Sequence, residues 1–123
     1  MSKARSSLGK EGEALAGQRL IEMGYRIIAR NYRTRLGEID IIAEENGTLV
    51  FVEVRTCQDS RHGYPKESVT FKKQRQLSRV ALEYLNRHQM TEQKARFDVV
   101  SILMDGMVDV EVIQDAFELC YGV

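Results

Sequence analysis

The sequence predicts an α/β or α+β fold in which helices pack on a mixed central β-sheet. Helical and strand-type patterns follow one another in the order α-β-β-β-α-β-β. Asn-Gly and Asp-Gly dipeptides each separate two neighbouring strand patterns, as tight hairpin turns require. With 123 residues, 43% of them hydrophobic, the chain fits a single domain over residues 1–123.

The first four elements lie before residue 57. A helix is predicted through EGEALAGQRLIEM, with Ser6 or Ser7 as its N-cap and Gly24 as the left-handed residue at its end. Three strand patterns rich in β-branched and aromatic residues follow: YRIIARNYR, GEIDIIAEE and TLVFVEVRT. The last two are separated by an Asn-Gly dipeptide and therefore form a predicted hairpin.

The second half of the chain adds one helix and two strands. Residues 57–65 are predicted as a loop, and a helix follows from about Glu67 to Asn86, where apolar residues recur at helical spacing. The strand patterns RFDVVSILM and MVDVEVIQDAF then meet at an Asp-Gly dipeptide. The five strands are expected to form one sheet with the helices packed against it.

The hairpin across residues 46 and 47 brings two carboxylates together. If these residues form the turn, the numbers of paired residues sum to 93, so Asp40 opposes Glu53 and Glu38 opposes Arg55. Two carboxylates whose Cβ atoms are about 5 Å apart repel by roughly 3 kcal/mol at an effective dielectric of about 20. A divalent cation such as Mg²⁺ would convert this repulsion into coordination. The alternative is a solvated pair beside a simple Glu38–Arg55 salt bridge.

Side-chain alternation divides this hairpin into two faces. One face is apolar along its length and is predicted to be buried; it comprises Ile39, Ile41, Ala43, Val50, Val52 and Val54. The other face carries the charges at its far end and is apolar only near the turn, at Ile42, Leu49 and Phe51.

Two charged residues are predicted on the inward faces of the helices. Glu13 shares its face with Ala16 and Leu20, and Lys73 shares its face with Leu77. Both side chains are therefore expected to point toward the sheet and its carboxylates. A lysine that buries its stem and keeps its charge in water is the alternative for Lys73.

The net charge is zero, but residues 1–37 carry eight Lys and Arg against three Glu, and residues 105–123 carry five acidic residues and no basic one. A basic face that binds a polyanion is therefore compatible with a neutral chain. Two basic groups are predicted to flank the carboxylates and contact phosphates: Arg30, Arg33 and Arg35 before the hairpin, and Lys66, Lys72, Arg75 and Arg79 after it. For the second group, a solvated helix face is the alternative.

The N-terminal stretch contains no continuous apolar segment, so neither a secretory signal nor a membrane span is expected, and the expected compartment is the cytoplasm. Cys57 and Cys120 belong to no CxxC motif or Cys/His cluster. Neither a zinc site nor a disulfide framework is therefore expected.

The segments GEIDIIA and FVEVRT, with Glu13 upstream and Lys73 downstream, resemble the PD-(D/E)XK nuclease pattern of the restriction-endonuclease-like fold. More narrowly, the chain from Gly9 to about Phe117 resembles the bacterial YraN family of uncharacterised endonuclease-like proteins, which are similar to archaeal Holliday junction resolvases. The resemblance implies a metal-dependent cut of a phosphodiester in double-stranded or branched DNA.

The resemblance also implies roles for individual residues. Asp40 and Glu53 would bind Mg²⁺, or Mn²⁺, together with the backbone carbonyl of Val54, and Glu13 would support the metal or its water shell. Resolvase-like relatives further suggest a homodimer, because two sites are needed to cut two strands.

Arg55 occupies the position where the pattern usually has lysine. An arginine stays protonated at any working pH, so it cannot act as a general base. It could stabilise charge that develops on the scissile phosphate, while a metal-bound water supplies the nucleophile. Lys73, on the following helix, could supply the amine that is missing at position 55.

Three functions remain open at this point. The first is a Mg²⁺-dependent DNA endonuclease, with selectivity for branched DNA as one form of it. The second is a nucleic-acid-binding module on the same fold with lost or weak catalysis. The third is a non-catalytic dimeric interaction protein whose partner surface comprises the sheet edge and the hairpin tip, at Ile42, Leu49 and Phe51.

Overall fold

The structure is a computed structural model that describes residues 7–58 and 69–119. Its elements follow the predicted order: α1 (Ser7–Glu22), β1 (Arg26–Thr34), β2 (Gly37–Glu45), β3 (Thr48–Cys57), α2 (Phe71–Arg87), β4 (Ala95–Asp105) and β5 (Met107–Phe117). The predicted α/β class and element order are confirmed. Ser6, the loop residues 59–65, Lys66 and Cys120 lie outside the described residues.

The five strands form one mixed sheet in the order β1-β2-β3-β4-β5. Strands β3 and β4 run parallel, and the other three pairs run antiparallel. A parallel pair needs a crossover rather than a tight turn, and the segment that contains α2 connects β3 to β4. The sheet therefore holds β2 and β3 near its middle, where the predicted carboxylates lie.

Local hydrogen bonds cap the end of α1 and the beginning of α2. At the end of α1, Gly24 has a φ of 97°, its N–H donates to the carbonyl of Ile21 at 3.0 Å, and Tyr25 N–H donates to that of Leu20 at 2.9 Å. This is a Schellman cap, in agreement with the prediction for Gly24. Helix α2 begins at Phe71 rather than near Glu67, because the Thr70 hydroxyl caps it by accepting from Lys73 N–H at 3.1 Å.

The sheet is covered on both faces by apolar side chains. On one face, Ala16 and Leu20 of α1 pack with a cluster that includes Ile41, Val50 and Val52. On the other face, residues of α2 pack over a cluster that includes Ile42, Leu49 and Phe51, each at most 1% exposed. The prediction that this hairpin tip forms a partner surface is therefore wrong, because α2 covers it. Neither described helix is long and apolar enough to cross a membrane.

Candidate metal centre

The register of the β2–β3 hairpin places Asp40 at the end of a regular ladder. Asn46 and Gly47 have φ values of 50° and 80°, and the paired residues run from Glu45 and Thr48 to Ile41 and Val52 with numbers that sum to 93, as predicted. Beyond Ile41, the Asp40 side chain replaces the backbone as the link to β3, because its Oδ2 accepts from the N–H of Val54 at 2.8 Å.

The alternation of side chains changes at Asp40. Ile39 belongs to the cluster under α2, together with Ile42, whereas Ile41 belongs to the cluster under α1. The prediction that Ile39 shares a face with Ile41 is therefore wrong, because the two side chains pack on opposite faces of the sheet on either side of Asp40, across from the left-handed Asn31 of β1. At this change of face, the Asp40 side chain reaches across to the backbone of Val54 on the neighbouring strand.

The structure brings Asp40 and Glu53 together in a buried position. Asp40 is 9% exposed and Glu53 is 4% exposed. Burial, followed by the charge of Asp40, raises the pKa of Glu53 from 4.5 to about 7, and the two carboxyl groups also share a hydrogen bond. In the metal-free protein, Glu53 therefore keeps its proton at a pH below about 7.

Two cations lie on the side of Glu53 that faces α2. Arg55 Nη1 lies 3.1 Å from Glu53 Oε2, and Lys73 Nζ lies 3.9 Å from the same oxygen. Both lower the pKa of Glu53, but less than burial and Asp40 raise it. Lys73 thus reaches toward the carboxylate pair from the adjacent helix, as its inward spacing predicted. Glu38 forms a salt bridge with Arg33, at 2.9 Å.

Glu13 approaches the site from the opposite side, on α1. Its side chain lines a cavity of about 290 Å³ together with Asp40. Helix α1 comes close to the sheet here because residue 12 is glycine: a Cβ at Gly12 would lie 2.2 Å from the Thr56 hydroxyl on β3. The close approach of α1 thus sets Glu13 beside Asp40.

Within residues 7–58 and 69–119, no three Asp, Glu, His or Cys side chains form a group that could hold a metal. Glu13, Asp40 and Glu53 are therefore not gathered into one three-carboxylate cluster. The physical reason is that Glu13 comes from the α1 side, whereas Glu53 contacts Lys73 of α2. A hard cation that takes one or two carboxylates and fills its remaining positions with water still fits Asp40 and Glu53.

The predicted phosphate-binding residues divide between several places. Arg33 and Arg35 line an open cavity of about 710 Å³ with Lys73, beside the carboxylate pair. Arg30 lines the smaller cavity of Glu13 and Asp40. Three predicted residues line neither cavity: Lys72 and Arg79 are exposed on α2, and Arg75 packs over the ring of Phe71 at 5.2 Å. Lys66 lies outside the described residues.

Sequence reasoning missed a buried polar cluster around Asp98. Asp98 is 0% exposed and accepts from Tyr25 Oη at 2.6 Å, from Arg96 Nε at 2.9 Å and from the N–H of Asp115 at 2.9 Å. Burial and Asp98 raise the pKa of Tyr25 to about 12, so its hydroxyl remains a donor. Because every member is paired, this cluster joins the end of α1 to β4 and β5. Its only sequence signal was a charge inside the apolar RFDVV segment.

Sequence reasoning also missed Asn31, which lines the cavity shared by Glu13 and Asp40. The Oδ1 atom of Asn31 is buried and has no hydrogen-bond partner among the described residues. The sequence alone does not predict this unpaired oxygen, because whether an asparagine within a strand finds a hydrogen-bond partner depends on the packing around it.

The protein has a restriction-endonuclease-like fold, in which helices flank a mixed sheet, and it carries a carboxylate pair on β2 and β3. The chain belongs to the uncharacterised protein family UPF0102, whose family model matches residues 12–102. The resemblance to the YraN family is thereby confirmed.

Several relatives match this chain over nearly its whole length. A UPF0102 protein of Geobacter metallireducens is 47% identical over 122 residues, which cover 98% of this chain and 100% of that protein. UPF0102 proteins of Persephonella marina and Caldicellulosiruptor saccharolyticus are 46% and 44% identical; the matches cover 92% of this chain in both cases, and 95% and 98% of those proteins. None of these names states an activity, so a function must be argued from the site.

Proposed function

We propose that this protein is a DNA endonuclease that hydrolyses phosphodiester bonds with the help of Mg²⁺ or Mn²⁺. The observation that carries the proposal is the buried pair of Asp40 and Glu53, in which the pKa of Glu53 is raised to about 7. A sheet gains no stability from two carboxylates placed in this way, whereas a divalent cation between them would offset their repulsion.

The residues that would hold the cation are Asp40, Glu53 and the carbonyl of Val54. Asp40 Oδ2 already accepts from Val54 N–H, so Asp40 and the Val54 peptide are held together before any ligand binds. Glu13, from the cavity on the α1 side, would accept hydrogen bonds from the water shell. A bound Mg²⁺ supplies an activated water and a Lewis acid for the phosphate oxygens.

Arg55 and Lys73 would act on the substrate side of Glu53. Both contact Glu53 Oε2, so both fix its orientation. Arg55 remains protonated and would donate to an oxygen of the scissile phosphate, where negative charge increases during hydrolysis. Lys73 lines the open cavity and is the amine available to exchange a proton with the reacting groups. If Lys73→Ala leaves the cleavage rate unchanged, this role for Lys73 is wrong.

The open cavity beside Lys73 is the proposed path of the DNA backbone. It is lined by Arg33, Arg35 and Lys73, and by Gln76 from the next turn of α2. Contacts of this kind neutralise phosphates without reading sequence, so the affinity should fall steeply as salt increases. Arg35→Ala should reduce the slope of log affinity against log salt concentration by about one, which corresponds to one released counterion fewer. Arg26→Ala, on the same strand as Arg33 but outside this cavity, is the matched control.

The experiment that tests the proposal is a cleavage assay on duplex, nicked, flapped, four-way and single-stranded DNA with Mg²⁺ or Mn²⁺. Wild type should cut at least one substrate, and both Asp40→Asn and Glu53→Gln should reduce cleavage to background. Glu44→Gln changes a carboxylate on the same hairpin that pairs with Arg26, and should cut like wild type. Activity that persists in both site variants would indicate a contaminating nuclease and refute the proposal.

A second function is favoured by Arg55, which stands where the nuclease pattern usually has lysine. In this case the protein binds nucleic acid through its arginines but cuts it slowly or not at all. Asp40→Asn should then bind DNA without metal as well as wild type does, while Arg35→Ala should bind it more weakly. A wild type that binds but does not cut any substrate in the set would favour this function.

A further inference from the structure

Asn31 has an unusual environment for a polar side chain. Its Oδ1 atom is buried and lacks a hydrogen-bond partner among the described residues, and it is the one such side-chain atom found there. Leaving a buried acceptor unpaired is unfavourable, and nearly all buried polar groups in folded proteins have a partner. The oxygen is therefore expected to meet a donor or a cation when the protein is in its working state.

The backbone at Asn31 is also unusual. Asn31 has a φ of 54° although it lies within strand β1. It sits between the paired residues Arg30–Ile41 and Tyr32–Ile39, which places it across from Asp40. Left-handed backbone is unfavourable in a strand, and such conformations concentrate at functional sites. Asn31 and Asp40 thus lie across from each other where β1 takes a left-handed backbone and the side-chain alternation of β2 changes.

The surroundings of Asn31 indicate which ligand would satisfy it. Its side chain lines the same cavity as Glu13 and Asp40. Lys10 and Arg30 also line this cavity, but neither donates a hydrogen bond to the Asn31 oxygen. Asp40 in turn neighbours Glu53 on the next strand. Ionised carboxylates accept hydrogen bonds and cannot donate them to an amide oxygen. An amide oxygen beside carboxylates is the kind of ligand that hard divalent cations take. Because the terminal torsion of asparagine is broad, Oδ1 can turn toward a cation in the cavity.

We propose that Asn31 is a further ligand of the metal centre and supplies its Oδ1 oxygen to the cation held by Asp40 and Glu53, or to a water bound to that cation. This inference rests on the proposed metal site and adds a residue to it. The ligands then come from three neighbouring strands: Asn31 on β1, Asp40 on β2 and Glu53 on β3. Asn31 thereby supplies a neutral oxygen that complements the two carboxylates without adding repulsion.

The experiment is a calorimetric titration of the whole chain with Mn²⁺ at pH 8, in the absence of DNA. Asn31→Gly removes the oxygen and tolerates the left-handed backbone. We expect it to weaken Mn²⁺ binding by about tenfold or more, the range found when supporting metal contacts are removed. Asn31→Asp retains an oxygen at the same position and should keep Mn²⁺ binding. The matched control is Asn46→Gly, which replaces another left-handed asparagine, in the hairpin turn.

The outcomes separate this inference from the proposal on which it rests. If Asn31→Gly binds Mn²⁺ as wild type does while Asp40→Asn does not bind it, Asn31 is not a ligand and the metal centre stands. If wild type binds no Mn²⁺, or if Asp40→Asn binds it unchanged, both the metal centre and the role of Asn31 are wrong. A purely structural role would lower the unfolding temperature of metal-free Asn31→Gly and leave the Mn²⁺ affinity unchanged.

Discussion

Replacing Glu53 by glutamine should stabilise the metal-free protein at alkaline pH. Glu53 is buried, and burial together with Asp40 raises its pKa from 4.5 to about 7. At a pH above about 7, the native state must therefore hold an ionised carboxylate in a place that disfavours the charge. Glutamine has nearly the same shape as the protonated acid and carries no charge, so Glu53→Gln removes this penalty.

The sign and size of the effect follow from the two pKa values of Glu53. Between pH 4.5 and about 7, the native carboxyl keeps a proton that the unfolded chain has lost. The free energy of unfolding therefore falls as the pH rises through this window and stays level above it. At about 1.4 kcal/mol for each pKa unit, the loss is about 3 kcal/mol. Glu53→Gln should recover up to about 3 kcal/mol at pH 8.5 and little at pH 4.5.

The assay is urea unfolding of wild type and Glu53→Gln in EDTA at several pH values from 4.5 to 8.5. The matched control is Glu44→Gln, because Glu44 lies on the same hairpin and pairs with Arg26 at the surface. This control should show no gain at pH 8.5. If Glu53→Gln is no more stable than wild type at pH 8.5, the inference of a strained carboxylate pair is refuted.

Three further predictions concern the site and its support. Mn²⁺ affinity should rise with pH up to about 7, because a proton on Glu53 competes with the metal; calorimetry at pH 6, 7 and 8 measures this rise. Gly12→Ala should destabilise the fold by about 1–3 kcal/mol, because its Cβ would meet the Thr56 hydroxyl at 2.2 Å. Adding Thr56→Ala to Gly12→Ala should restore part of that loss, and urea unfolding of the single and double variants measures the difference. Arg96→Ala should lower the free energy of unfolding by about 3 kcal/mol in urea, because it removes a charge partner from the fully buried Asp98. An unchanged urea midpoint for this variant would contradict the prediction.

The sequence predicted the element order and the hairpin register well, because both depend on local chemistry. Asn46 and Gly47 adopt the left-handed backbone that a two-residue hairpin turn needs, and this turn determines every pairing as far as Ile41 and Val52. The inward spacing of Lys73 on its helix likewise predicted its approach to Glu53. These features require only periodicity and turn geometry, which a sequence displays directly.

The features that could not be predicted depend on long-range packing. The hairpin pattern suggested one buried face, but α2 covers the second face and buries Ile42 and Phe51. The change of alternation at Asp40 lies across from the left-handed Asn31 on the neighbouring strand, and neither strand pattern reveals it. The buried charge of Asp98 depends on groups more than 70 residues away in the chain, such as Tyr25.

The left-handed backbone at Asn31 also lies on an edge of the sheet. Strand β1 is one edge of the sheet and has a register shift between Ile27 and Ala29 before its left-handed Asn31. The opposite edge, β5, has a left-handed Asp115 where its pairing with β4 shifts. The register shift and the left-handed Asn31 interrupt the row of backbone groups along β1, and Asp115 interrupts β5 beyond its regular pairing from Met107 to Ile113. Interruptions of this kind at a sheet edge oppose edge-to-edge pairing with another chain.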